Sequence, residues 1–255
     1  MIPRLPAAFL GAPLAHRALH DVTDGRPENS RAAIRAAIAH GYGIEIDVQL
    51  SADNQAMVFH DYALDRLAEG TGPVRVVPAG TLGQMPLKGG DEGIPTLPEV
   101  LEIVAGQVPL LIEIKDQDGA MGDNLGPLEQ ATADALKGYD GPVALMSFNP
   151  HSVARMAALC PEIPRGLVTS AYTVEDWPLN AATRDHLRDI PDFDRVGASF
   201  ISHEAADLAR LCVAELKATG ANILCWTIRS PEEEAQAREV AENVTFEGYL
   251  APHPG

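Results

Sequence analysis

Residues 43–61 read G-I-E-I-D-V-Q-L-S-A-D-N-Q-A-M-V-F-H-D, and the first half of that stretch alternates strictly. Ile44, Ile46 and Val48 fall on one face of an extended segment and Glu45 and Asp47 on the other, the period-2 signature of a strand. Two carboxylates on one enclosed face are costly to desolvate and repel each other, a conflict that a bound cation relieves. A short apolar run at 57–59 then ends in His60-Asp61, an imidazole beside a carboxylate.

On the N-terminal side, the apolar run 8–15 ends in His16-Arg17, and a polar, Gly-containing loop leads to Pro27-Glu28-Asn29-Ser30. Asn29 or Ser30 is placed to cap a helix carrying Ile34 and Ile38, which Gly41 stops. On the C-terminal side, residues 61–95 are rich in Gly and Pro and weakly periodic, which fits an insertion covering a site better than a domain with its own core. The segment Glu69-Gly70-Thr71-Gly72 lacks the lysine and following helix of a phosphate-binding loop and reads as a turn.

From Thr96 the alternation resumes. An amphipathic helix over 97–105 precedes the strand 109–115, P-L-L-I-E-I-K, in which Glu113 and Lys115 share one face. Helical patterns over 127–137, 150–159, 204–219 and 231–241, and a loop-rich helical stretch, separate apolar runs at 143–147, 165–169, 196–201, 223–228 and 244–250. Eight strands with helices between them in 255 residues predict an α/β fold, a single (β/α)8 TIM barrel domain over 1–255 with the insertion after strand two. An open doubly wound sheet usually carries a Gly-rich first turn, and no G-x-G-x-x-G follows strand one. In a barrel, chemistry sits at the C-terminal strand ends, where His16, Arg17, Glu45, Asp47, His60, Asp61, Glu113 and Lys115 all fall on this reading.

The net charge of −17 and pI near 4.7 argue against nucleic acid or anionic membrane as a general partner, because the long-range field repels polyanions. A small anionic substrate is still compatible, bound by a metal and a few local cations. No apolar run approaches the roughly 18 residues of a membrane span. Cys160, Cys212 and Cys225 form no C-x-x-C, which suits small core residues in a reduced compartment. With a Pro-broken, weakly charged N-terminus that makes a poor signal peptide, the expectation is a cytoplasmic protein without stable membrane association; the oligomeric state is left open.

The motifs in their order resemble those of the glycerophosphodiester phosphodiesterase family. They are His16-Arg17, Pro27-Glu28-Asn29-Ser30, Glu45-x-Asp47, His60-Asp61 with Leu64-Asp65-Arg66 and Gly70-Thr71-Gly72, Ile94-Pro95-Thr96-Leu97, Glu113-Ile114-Lys115 and Trp226-Thr227. The resemblance implies a TIM barrel of the phospholipase C-like phosphodiesterase type that cleaves glycerophosphodiesters to sn-glycerol 3-phosphate and an alcohol in lipid and glycerol metabolism. It implies Glu45, Asp47 and Glu113 as ligands of a divalent metal, Mg²⁺ or Ca²⁺, since these ions take hard oxygen donors. It implies His16 and His60 as the general acid/base pair, Arg17 and Lys115 near the phosphate, Glu28 in support and Trp226 against the substrate. The chemistry needs such groups: charge stabilisation on a phosphodiester oxygen and a proton for the departing alkoxide.

Taken singly, each residue has an ordinary reading too. His16 suits a loop or cap, His60-Asp61 a strand-end turn, Glu113/Lys115 an interior ion pair, and Trp226 core packing. His203-Glu204 reads as a helix start, and His20, His40, His151, His186, His203 and His253 as mostly surface residues. Two departures from the family pattern stand out: Ala18 where Gly usually follows His-Arg, and Arg229 where Asn usually follows the Trp-Thr segment, a possible second anion contact. The alternatives are a lysophospholipase D-like or cyclising phosphodiesterase and, in a different class, a non-catalytic barrel that binds a glycerophosphodiester.

Overall fold

The computed structural model describes residues 2–254. They divide into two compact units, one comprising Leu14–Lys115 with Gly126–Val143, the other the rest of the chain.

The first unit opens on β1 (Leu14–Ala15), α1 (Arg31–Ala39), β2 (Gly43–Leu50) and β3 (Ala56–Val58). After the insertion, which contains the short helix α2 (Ala79–Leu82), come α3 (Leu97–Val104), β4 (Leu110–Ile114) and α4 (Leu128–Ala135). β2 pairs in parallel with β1 and with β4, and Leu14 lies opposite Gly43, Ile44 opposite Leu110 and Asp47 opposite Glu113. Ser30, rather than Asn29, caps α1 by accepting from Ala33 N, and α3 starts in a capping box of Thr96 with Glu99. β2 and β4 are buried along nearly their whole length, as strands covered on both faces must be.

The second unit is a parallel succession of β5 (Val143–Ser147), β6 (Arg165–Thr169), β7 (Phe200–Glu204), β8 (Asn222–Ile228) and β9 (Asn243–Phe246). The helices α5 (Pro150–Leu159), α6 (Ala181–Arg188), α7 (Leu211–Ala218) and α8 (Pro231–Ala237) alternate with them. Among the described residues the chain thus carries eight parallel strands and one antiparallel strand, β3. No helix among them is long and apolar enough to cross a membrane.

Three boundaries differ from the sequence expectation. The run 8–15 is mostly a 3-10 turn, Ala7–Leu10, and only Leu14 and Ala15 pair as strand. The apolar residues at 57–59 include an additional strand, β3, turned back on β2 with Val58 opposite Val48. The sixth parallel strand, β7, begins at Phe200 and runs through His203, which is fully buried instead of starting a helix at the surface. Its Nδ1 lies 2.8 Å from Thr169 Oγ1 and its Nε2 faces Asp207, so the polar ring is satisfied inside the unit. Burial pushes this imidazole below its usual range, against the pull of Asp207.

The insertion also packs more apolar surface than its composition suggests. Leu64, Ala68, Val74, Ala79, Leu82, Leu87 and Ile94 bury themselves around Met57 and Phe59, borrowing large side chains from the sheet. Its backbone crosses itself closely: a Cβ on Gly93 would stand 2.0 Å from the Gly83 carbonyl oxygen. Gly93→Ala is therefore expected to destabilise the protein by about 1–3 kcal/mol, the usual range for overpacking; an unchanged Tm in thermal unfolding would refute this contact.

Candidate active site

The strand pattern that exposes Glu45 and Asp47 on one face becomes a three-carboxylate cluster through register. Asp47 is the cross-strand neighbour of Glu113, and Glu45 lies two residues earlier on the same face. One oxygen from each of Glu45, Asp47 and Glu113 lies within 4.8 Å of the others, and all three residues are buried. Burial, and then the charges of Asp47 and Glu113, push the Glu45 carboxyl well above its usual range. Burial acts the same way on Asp47, but Lys115, His60 and Arg17 outweigh it and hold that carboxyl well below the usual range.

The cations come from the adjoining strand ends. Lys115, just past β4, places Nζ 2.7 Å from Asp47 Oδ1 and 2.6 Å from Glu113 Oε1. Arg17 follows β1 in a turn where both Arg17 and Ala18 are left-handed, with φ of 52° and 64°. Glu45 holds this turn twice: its Oε2 accepts from Arg17 N at 2.9 Å and its carbonyl from Ala18 N at 3.0 Å. The guanidinium donates from Nη1 to Glu28 Oε1 at 2.7 Å, while the buried Nε has no hydrogen-bond partner among the described residues and lies 3.7 Å from Asp47 Oδ2. An unsatisfied buried N–H facing this site is a donor ready for an anionic oxygen.

His60 stands just past β3, where Gln49 donates to its carbonyl. Its Nδ1 is 2.6 Å from Asp61 Oδ1. Burial opposes ionisation of Asp61, but its bonds to His60 and Arg66 hold it well below the usual carboxylate range. An ionised carboxylate only accepts, so Nδ1 carries a hydrogen and Nε2 is the atom with a lone pair to offer. His16, half-buried, immediately follows β1.

Five carboxylates in this network, Glu28, Glu45, Asp47, Asp61 and Glu113, face three permanent cations, Arg17, Arg66 and Lys115. With all five ionised, two negative charges remain, the charge that one divalent cation cancels. The donors are hard carboxylate oxygens, so the cluster suits such a cation in number, type and charge.

The model of the glycerophosphoryl diester phosphodiesterase family matches residues 16–243. The chain belongs to this family. Enzymes of glycerophosphoryl diester hydrolysis are also its relatives: the glycerophosphodiester phosphodiesterase of Caldanaerobacter subterraneus is 34% identical over 161 residues, 59% of this chain and 65% of that protein. The YhdW protein of Bacillus subtilis is 28% identical over 239 residues, 89% of this chain and 90% of its own length. A solved Oleispira antarctica phosphodiesterase, in complex with the product sn-glycerol-3-phosphate, is 26% identical, superposes with a TM-score of 0.76 and covers 94% of each chain. The fold class of the chain is accordingly the (β/α)8 TIM barrel expected from its strand and helix alternation.

Sequence reasoning brought Glu28, Glu45, Asp47, Glu113, Arg17, Lys115 and His60 to one network, and the first unit joins them. It missed Asn29, whose Nδ2 donates to Asp47 Oδ2 at 2.9 Å while its Oδ1 accepts from Asp47 N at 3.3 Å. An Asn before a helix is indistinguishable in sequence from a cap; only its left-handed φ of 58° reveals the other use. Trp226 belongs to the second unit, where its indole N–H donates to Ser202 O and its ring meets Phe148 edge to face at 5.5 Å. Arg229, offered as an anion contact, is paired with Glu247 at 2.7 Å. Ala18 occupies a left-handed position that glycine adopts without strain, which accounts physically for the residue usual there.

A carboxyl whose pKa is raised by folding opposes folding where it is ionised, so metal-free protein gains stability as pH falls through the folded pKa of Glu45 and loses it as pH rises. Glu45→Gln is expected to raise the Tm of the metal-free protein at pH 8. Added divalent cation should stabilise the wild type by about 2.7 kcal/mol at a hundredfold excess over Kd, and the variant far less. Equal responses of the two proteins in a thermal melt would remove Glu45 from the cation site.

Proposed function

We propose that this protein is a divalent-metal-dependent phosphodiesterase that hydrolyses glycerophosphodiesters to sn-glycerol 3-phosphate and an alcohol in cytoplasmic glycerophospholipid catabolism. The observation that carries the reading is the buried cluster of Glu45, Asp47 and Glu113, flanked by Arg17 with its unsatisfied Nε and by His60 oriented through Asp61. The product complex of the Oleispira antarctica relative supports the glycerol phosphate half of the substrate. Among the described residues no disulfide joins Cys160, Cys212 and Cys225, in keeping with a cytoplasmic setting.

Glu45, Asp47 and Glu113 would hold Mg²⁺ or Ca²⁺, which when bound supplies positive charge that stabilises a phosphate non-bridging oxygen. Arg17 binds the phosphate through Nε, and Lys115, anchored on Asp47 and Glu113, adds a second positive charge. Glu28 fixes the Arg17 guanidinium from behind. His60 and His16 divide the proton work. One takes the proton of the attacking water as the new P–O bond forms, and the other protonates the alkoxide as the old P–O bond breaks.

The test is release of sn-glycerol 3-phosphate from glycerophosphocholine. His60→Ala and His16→Ala are each expected to lower kcat by about 10²–10⁴, the usual worth of general acid or base. Chelation should abolish turnover, and restored Mg²⁺ or Ca²⁺ should recover it; full activity after thorough metal removal would overturn the proposal.

A further inference from the structure

Arg66 lies in the insertion, its side chain half exposed, and an arginine so placed is ordinarily a surface ion pair of little consequence. Its bonding is not of that kind. Nε and Nη2 each donate to Asp61 at 2.7 Å, one to each carboxylate oxygen, and Nη1 and Nη2 donate to Glu28 at 2.9 and 3.1 Å, again one to each oxygen. One guanidinium therefore forks onto two carboxylates at once, the geometry in which arginine pairs are strongest and most directional.

Each of those carboxylates has a second partner. Asp61 holds His60 Nδ1 at 2.6 Å, and Glu28 holds Arg17 Nη1 at 2.7 Å. The chain His60, Asp61, Arg66, Glu28, Arg17 thus ties an imidazole that moves protons to a guanidinium that grips phosphate. The backbone under Arg66 is anchored as well: Leu67 N and Ala68 N donate to Leu64 O, Asp65 accepts from Gly72 N at 2.9 Å, and Lys88 Nζ donates to Asp65 O at 2.5 Å. Leu64 and Ala68 on either side are fully buried in the apolar cluster of the insertion.

We propose that Arg66 is a positioning residue that sets His60 and Arg17 at a fixed spacing by bridging Asp61 and Glu28. It touches neither the carboxylate cluster nor, on this geometry, the substrate; it acts through the two carboxylates that it clamps. A lysine supplies the charge at this site but cannot fork onto both partners. The inference rests on the catalytic roles proposed above for His60 and Arg17.

The experiment compares wild type with Arg66→Met and Arg66→Lys, using glycerophosphocholine turnover, thermal unfolding, and proton NMR of the His60 Nδ1–H. Displacing an outer partner of an active group typically lowers activity 10–100-fold, so Arg66→Met is expected to lose about that much in kcat with KM changed less than about threefold and Tm nearly unchanged. Arg66→Lys should stay within about threefold of Arg66→Met. The downfield Nδ1 proton should be protected in the wild type and exchange-broadened in both variants. Wild-type kcat in Arg66→Met, or full recovery in Arg66→Lys, would overturn the bridging role. If wild type hydrolyses no glycerophosphodiester, the proposed activity fails while the NMR comparison still decides the bridge: a proton equally protected in all three proteins overturns it, and loss in both variants supports it.

Discussion

The repulsion among three buried carboxylates is the constraint to which the rest of the first unit answers. Glu45, Asp47 and Glu113 are brought together by the parallel register of β2 and β4. Burial makes that repulsion strong, because little water screens it. Lys115 sits between two of them, Arg17 approaches a third oxygen, and Asn29 spends both ends of its amide on Asp47. What these neighbours leave uncancelled matches a divalent cation, and that residual is the link between the fold and a phosphodiester, whose own charge must also be met.

Around this centre the polar groups divide into two layers. The inner one faces the space where a cation and an anion would lie. The outer one, Asp61, Glu28 and Arg66, bonds to the inner one through His60 and Arg17. Such layering is how a site on loops acquires the precision of a site on strands: the turn carrying Arg17 and the segment carrying His60 are each tied back by a carboxylate. The insertion after β3, which composition marks as loop, is built around its own apolar cluster and so can hold a charged side chain at its rim in place.

Much of this was legible in the sequence because the signals were local. The alternation through Glu45 and Asp47, its repetition at Glu113 and Lys115, and the spacing of apolar runs gave the strand and helix succession and most of the site. The failures have one physical source, which is that tertiary partners decide what a residue's own neighbourhood leaves open. Asn29 and Ser30 are both good caps, and only the proximity of Asp47 makes Asn29 do something else. His203 looked like a surface residue because nothing adjacent announces Thr169 and Asp207 as its partners. The run at 8–15 is apolar enough for a strand, yet Phe9 and Ala12 direct their carbonyls to the Asn243 side chain instead of to a strand neighbour. Arg66 sat in a segment without periodicity; the Leu64-Asp65-Arg66 motif marked it, but nothing beside it announces Glu28 as its partner.

The doubled grip of Glu45 on the turn after β1 has a further consequence. A single residue there lends its carboxylate to the acidic cluster and fixes the backbone of Arg17 and Ala18 through Oε2 and its carbonyl. Two successive non-glycine residues in the left-handed region would relax if that grip loosened. Binding of a cation to the carboxylate cluster would be coupled, through Glu45, to order in the turn that carries Arg17. Thermodynamic reciprocity then requires that whatever steadies the turn also tightens the hold on the cation.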